Sequence, residues 1–510
     1  MIRSNKLECR LDDGTILVAD AWCPDSDGSW PVLLQRLPYG RSVASAPVLP
    51  HPSWLASKGY LVVVQDVRGR GDSEGDFEPF DGAASDGFAA IEWAARLPQS
   101  SGVVGTYGFS YQGLLQLYAA AEQPPSLGAI APMMCAPDPY EGWTYEGGAL
   151  RWPFACFWAA QLAGLGSGEG PIPFNTACLP PSMALGEKPP AWFSDWLDHP
   201  NSADPFWTSK RPDISSINVP AFTVAGWFDD FSSATLDLAQ RLGADLHIGP
   251  WGHMPWGSLA GSVELGPEAG PSHIWPAMVE FFDRHLKHEG VEEPPAVRYF
   301  TNGRGWQTTT EWPPKTLPTR LFGNSEGNAN SRHGDGCLGA EPFEGRLTDV
   351  IVVEPLVPYP GGSEPLSDEG AAEDRRDVCC YTSDPFSTSQ VLTGAPVVTA
   401  TTRCDRRSYD VVASLVLVTD GEPPRRLSTT IQRLDPAPVG IERITQLTLR
   451  PISWEIPPGS CLRVDLSGGR FPAFDRNPHT GEVPTTNSAA ADTLVATLEI
   501  LEVEVELPLL

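Results

Sequence analysis

The chain has 510 residues and a mass of 55.1 kDa, enough for about three domains. Apolar residues make up 41% and charged residues 19%, which supplies buried cores and excludes general disorder. The formal charge of −29 repels phosphate backbones and anionic lipid, so neither nucleic acid nor a membrane is an expected partner.

In the first 130 residues, strand and helix signals alternate. PVLLQRL (31–37) and YLVVVQDV (60–67) read as buried strands. DGFAAIEWAARL (86–97) has helical spacing, with Ile91, Ala94 and Ala95 on one side. A short strand over 103–107 leads into a helix over 114–122. This alternation predicts an α/β fold with a parallel sheet covered on both faces. Over 136–212 the texture changes to tryptophans among Pro and Gly (Trp143, Trp152, Trp158, Trp192, Trp196 and Trp207), where short helices are expected. The α/β texture resumes with a strand at 219–227, a helix over 233–242, a strand at 245–248 and a helix over 274–286. Residues 131–217 therefore read as a helical insertion between two core parts, 1–130 and 218–291.

From 292 to 510 the pattern is of β type. Segments 410–418, 444–449, 461–466 and 494–507 alternate apolar and polar residues between turn clusters, which predicts an antiparallel sandwich of jelly-roll type. GGSEPLSDEGAAEDRRD (361–377) reads as a charged, structureless loop. No apolar run approaches ~20 residues, so no membrane span is expected. The opening residues carry no apolar leader core, and the ten cysteines are scattered without CxxC pairs. Both features predict a cytoplasmic protein with reduced thiols, and Cys379–Cys380 reads as packing.

The chemistry concentrates at VVGTYGFSYQG (103–113), where a strand runs through Gly108-Phe109-Ser110-Tyr111-Gln112-Gly113 into a helix. That context suits a nucleophile elbow, which lifts a serine above the sheet edge with small residues beside it. The second glycine falls one place late, with Gln112 in the usual spot. The plainer alternative is a turn serine capping a helix. Gly40-Arg41-Ser42 leads into Pro-rich sequence rather than a helix and is rejected. Gly69–Gly75 carries Asp72 and Glu74 where an anion would sit, so it reads as a shaped turn rather than a phosphate cradle.

A serine hydroxyl needs a base. His253, in the loop after the 245–248 strand, is the best placed of nine histidines. His247 sits within that strand and should point into packing, while His285 and His288 lie on a polar helix end. No HExxH helix is present, and no metal or cofactor is required. The acid should follow the 219–227 strand, where Asp229 and Asp230 are both candidates.

Taken in order, PVLLQRLPYGR (31–41), VVVQDVRGRGDSEGDFEPF (62–80), VVGTYGFSYQG (103–113), AGWFDDF (225–231), IGPWGH (248–253) and VRYFTNGRGWQTTTEWPP (297–314) resemble the cocaine esterase-like hydrolases of the X-Pro dipeptidyl-peptidase family. The resemblance implies an α/β-hydrolase domain, a helical cap insertion and a C-terminal jelly roll. It implies Ser110 as nucleophile, His253 as base and Asp229 as acid, with an oxyanion hole formed by the Tyr39 hydroxyl and the Tyr111 backbone N–H. Asp230 stands where such relatives usually carry glycine. Phe231 and Ser232 after the acid speak against an α-ammonium acyl group.

The expected activity is cleavage of an ester, or an amide, of a small organic substrate through an acyl-enzyme. Trp143, Trp152, Trp158, Trp227 and Phe231 are candidates for an apolar pocket, against the plainer reading that they fill a core. The alternatives are an amidase or acyl transferase with the same residues, and a ligand-binding protein with a degenerate hydrolase domain. By analogy a homo-oligomer is expected.

Overall fold

The structure is a computed structural model that describes residues 2–25, 27–43, 48–167, 171–289, 297–483 and 485–510. Six strands form the first sheet: β1 (Ile2–Arg10), β2 (Ile16–Cys23), β3 (Trp30–Leu37), β4 (Leu61–Asp66), β5 (Ser100–Phe109) and β6 (Leu127–Met133). Their order is β1-β2-β4-β3-β5-β6. β3 pairs in parallel with β4 and β5, and β5 with β6, whereas β1 and β2 form an antiparallel edge.

The central strands are apolar on both sides because both faces are covered. Val32, Leu34, Leu61 and Val63 pack into one core with Ile91 of α2 (Ala83–Ala95) and Leu114 and Leu117 of α3 (Tyr111–Ala121). Their neighbours Leu33, Val62 and Val64 point the other way. They join Leu55 of α1 (Pro52–Ala56) and Met278, Phe281 and Phe282 of the helix over 274–286. Strand side chains alternate between faces, so continuous apolar runs feed two cores at once.

The middle of the chain holds a small hairpin, β7 (Tyr145–Glu146) and β8 (Ala149–Leu150), followed by α4 (Trp152–Ser167), α5 (Ala191–Asp198) and α6 (Pro205–Thr208). Core elements then return as β9 (Phe222–Gly226), α7 (Ser232–Leu242) and β10 (Asp245–Gly249). A second hairpin, β11 (Leu259–Ala260) and β12 (Val263–Glu264), precedes α8 (Ile274–Leu286). β13 (Val297–Thr301) pairs in parallel with β10, and β14 (Gly305–Thr309) pairs antiparallel with β13. A parallel bridge between Ile130 and Ala221 joins β6 to the start of β9 and links the two sheets. Pairing that begins on β10 therefore continues through residue 309.

The remaining residues build an all-β domain around a twelve-stranded sheet. Its last strand, Ala496–Leu509, is the spine and pairs with Leu317–Asn324, Asp349–Val353 and Val397–Cys404. The 361–377 segment differs from expectation. Its Glu369 is buried against Arg470 (2.7 Å) and Arg426 (3.3 Å), and its Glu373 against Arg463 (2.6 Å). Charge in this segment is therefore spent on internal pairs, and a short helix, α9 (Gly370–Glu373), forms there. Among the described residues, no helix is long and apolar enough to cross a membrane. The cysteines are free thiols, and Cys379 and Cys380 are buried.

Candidate active site

β5 delivers Ser110 to a turn with φ 60° and ψ −131°, a left-handed conformation that a non-glycine residue adopts only where its surroundings impose it. Ser110 is the N-cap of α3, yet its side chain makes no capping hydrogen bond. The hydroxyl is thus not spent on the helix, unlike that of an ordinary capping serine. Gly113, one place late in sequence terms, is required by packing: a Cβ there would lie 2.8 Å from Cys135 Sγ and 3.0 Å from Cys135 Cβ. Gln112 takes the intervening place because its amide oxygen accepts from Gln35 Nε2 at 2.8 Å on neighbouring β3.

Asp229 and His253 leave the ends of adjacent strands, β9 and β10. Their loops are laced together by Trp227 N–H to the Gly249 carbonyl and Phe228 N–H to the Trp251 carbonyl, both 3.0 Å. His253 Nδ1 lies 2.9 Å from Asp229 Oδ1. Asp229 is fully buried, while the His253 side chain retains 27% exposure. With Nδ1 engaged by a carboxylate, Nε2 is the nitrogen left for a proton on the open side. The imidazole packs against Phe231 and against Phe109, the residue before Ser110, with both ring centroids 5.4 Å away. His253 is thereby brought to the elbow.

The Tyr111 N–H opens α3, where helix geometry provides no partner for it, and developing negative charge is favoured there. Its phenol is pinned elsewhere, accepting from the Phe80 N–H at 2.8 Å. Tyr39, at the end of β3, accepts from the Trp158 indole N–H at 3.1 Å, which leaves its own O–H free to donate. Burial pushes the Tyr39 phenol up to about 12, against smaller opposing effects of Trp158 and Arg70. The hydroxyl therefore remains a neutral donor across the working pH range.

Trp143, Trp158 and Phe231 close an aromatic wall between these groups. Trp143 lies 4.7 Å from Phe231, 5.2 Å from Trp158 and 5.9 Å from Tyr111, centroid to centroid. Trp152 and Trp227 lie outside that wall: Trp152 donates to the Thr176 carbonyl, and Trp227 donates to the Phe300 carbonyl and packs on Trp312. All five are exposed by 4% or less.

Phe80, the last residue of the 62–80 motif, is not marked as a site residue by sequence reasoning, yet it contacts Tyr111, Trp143, Trp158 and Trp196 at 5.6–5.8 Å. Its positive φ of 69° is invisible in a phenylalanine codon. Asp230 is not the partner of His253 Nδ1; it pairs with Arg450 (2.9 Å) and Arg151 (3.1 Å). His247 is buried against Phe222 and His273. Among the described residues, no group of three or more His, Cys, Asp and Glu side chains is placed to hold a metal.

Comparison with known proteins agrees with this architecture. Residues 13–255 match the X-Pro dipeptidyl-peptidase (S15 family) profile, and residues 289–498 match the X-Pro dipeptidyl-peptidase C-terminal non-catalytic domain. The chain is 29% identical to the cocaine esterase of Rhodococcus sp. (strain MB1 Bresler), over 93% of this chain and 92% of that protein. Among solved structures, an α-amino acid ester hydrolase superposes with a TM-score of 0.86 at 20% identity, covering 100% of this chain and 96% of that one. An aminopeptidase from a marine sediment Thaumarchaeota archaeon gives the same TM-score, 0.86, at 21% identity and the same coverage, 100% and 96%. The chain belongs to the X-Pro dipeptidyl-peptidase (S15) family, as a relative of cocaine esterase that carries the family's C-terminal domain.

Proposed function

We propose that the protein hydrolyses a carboxylic ester of a small organic acid by a serine-dependent, two-step acyl transfer. The observation that carries this reading is the buried Asp229 carboxylate on His253 Nδ1 at 2.9 Å, next to a strained elbow serine with an uncommitted hydroxyl. His253 Nε2 takes the Ser110 proton as Oγ attacks the carbonyl carbon. Tyr39 O–H and Tyr111 N–H receive the oxyanion. His253 then protonates the leaving alcohol, and the acyl-enzyme is released when water repeats the sequence. Asp229 fixes the imidazole tautomer and offsets its charge.

Esters are preferred over amides on two grounds. An alkoxide leaves with less protonation than an amine, and two similar proteins, the cocaine esterase and the α-amino acid ester hydrolase, are named for ester substrates. The aromatic wall suits an apolar or aryl group on the substrate. In this reading the C-terminal domain is a jelly roll that braces the site rather than reacting, and the protein is cytoplasmic. The test is a panel of p-nitrophenyl esters and matched anilides, together with fluorophosphonate labelling. Wild type should label at Ser110 and turn over esters faster than anilides, and Ser110→Ala should lose both. Undiminished turnover by Ser110→Ala defeats the proposal.

A further inference from the structure

Most of the Gly69–Gly75 turn is structural, as its sequence suggests. Asp72 pairs with Arg41 at 2.6 Å, and Glu74 accepts from the Ile16 N–H at 3.0 Å. Arg70 is different. It is 6% exposed, and among the described residues no carboxylate pairs with it. Nη1 donates to the Leu162 carbonyl at 2.8 Å, the guanidinium stacks 4.0 Å from the Phe77 ring centroid, and Nε has no hydrogen-bond partner. Burial pulls its pKa down to about 10, which still leaves it cationic at neutral pH.

A buried cation without a counter-ion is costly, so its surroundings should explain its retention. Leu162 lies one turn beyond Trp158 on α4, and Trp158 is the donor to Tyr39. Phe77 meets the Tyr111 ring edge-on at 6.3 Å. Arg70 thus touches the backing of both groups assigned to the oxyanion. In a low-dielectric interior an unscreened charge acts over several ångströms.

We propose that Arg70 is a positioning residue for the oxyanion site: its unneutralised charge behind Tyr39 and Tyr111 favours negative charge on the substrate carbonyl oxygen. This rests on the serine hydrolase reading above.

The test uses the full chain with Arg70→Met, Arg70→Gln and Arg70→Lys, reading Tm, the rate of fluorophosphonate labelling at Ser110, and kcat and KM on a neutral p-nitrophenyl ester. Loss of the charge should slow labelling and kcat by about tenfold or more, with KM shifted less than about threefold. Tm should hold or rise, because an unpaired buried charge has been removed. Arg70→Lys, which keeps the charge, should recover most of the rate. Wild-type rates in both neutral variants overturn the proposal. So does a fall in Tm or a failure to fold on losing the charge, or a lysine variant as slow as the methionine one, since each would mark Arg70 as packing. If wild type does not label at Ser110, the hydrolase reading itself fails; if it labels and the neutral variants keep pace, only the role of Arg70 fails.

Discussion

Arg450 Nη1 lies 2.9 Å from Asp230 Oδ1 while its Nη2 lies 2.7 Å from Glu146 Oε2. One guanidinium of the C-terminal domain therefore clasps both the loop that carries Asp229 and the hairpin ahead of α4. Arg151 adds an ion pair to the other Asp230 oxygen at 3.1 Å. Burial alone would raise the Asp230 carboxyl, but Arg151 and Arg450 outweigh it and hold the pKa below the usual carboxylate value.

Asp230→Asn should accordingly destabilise the protein by about 1–3 kcal/mol at pH 7, because two largely buried guanidiniums each lose an ion pair while Arg450 keeps Glu146. A depressed folded-state pKa means the stabilisation is present above the unfolded value of ~3.9 and disappears as pH falls through the folded value. Urea titrations at pH 7 and in acid check this: the gap between wild type and variant should close below about pH 4.

Asp229→Asn should behave differently, although the residue is a direct neighbour. Its carboxylate sits on His253 Nδ1, and an amide there favours the wrong imidazole tautomer, a change that costs ~10⁴ in kcat in serine proteases. The expected loss is about 10³–10⁴-fold for Asp229→Asn and less than about tenfold for Asp230→Asn. Steady-state kinetics on one p-nitrophenyl ester, run side by side, distinguish them.

The contrast between these two aspartates also marks where sequence reading stops. Residues 103–113 are legible because a strand, an elbow and a helix are local, and the helix at α8 is observed at 274–286 as its periodicity predicts. Gln112 in place of glycine is not legible, since its reason lies on Gln35, 77 residues earlier. Nor is the partner of Asp230 legible, since Arg450 is 220 residues away. The β1–β2 hairpin escapes because β1 is an edge strand with largely exposed, charged side chains, so it lacks the apolar run that announces β3 and β4. The aromatic wall draws on Phe80, Trp143, Trp158 and Trp196 from different elements, and only the packed fold chooses which tryptophans belong to it.

Gly113→Ala should cost ~1–3 kcal/mol through overpacking, since the added methyl meets Cys135 Sγ and Cβ at 2.8 and 3.0 Å. Combining it with Cys135→Ala should recover part of the loss, because the sulfur contact is relieved while the Cβ contact remains. Chemical denaturation of the two single variants and the double variant measures this coupling.

His247 predicts an acid-side slope in stability. Burial, with His273 and Arg298 adding to it, pulls its pKa down to about 3, so the folded protein keeps this ring neutral. Below ~6.5 the unfolded chain binds a proton that the folded one refuses, and stability falls by ~1.4 kcal/mol per pH unit until the folded value is reached. Between pH 6.5 and 5 this one residue should cost about 2 kcal/mol. His247→Leu should flatten the urea-measured slope by that amount, and an unchanged slope would contradict the assignment.

Tyr39→Phe tests the donor that the fold prepares most visibly. The Trp158 N–H already occupies a lone pair of the Tyr39 oxygen, so the phenolic proton is the part left for the substrate. Removing it should lower kcat by ~10²–10³ with little change in KM, because the interaction strengthens only as the oxyanion forms. Trp158→Phe should reproduce part of that loss by letting the hydroxyl rotate, while leaving the donor itself in place. Equal kcat values for wild type and Tyr39→Phe would move the second oxyanion donor to another residue and leave Tyr111 N–H as the first.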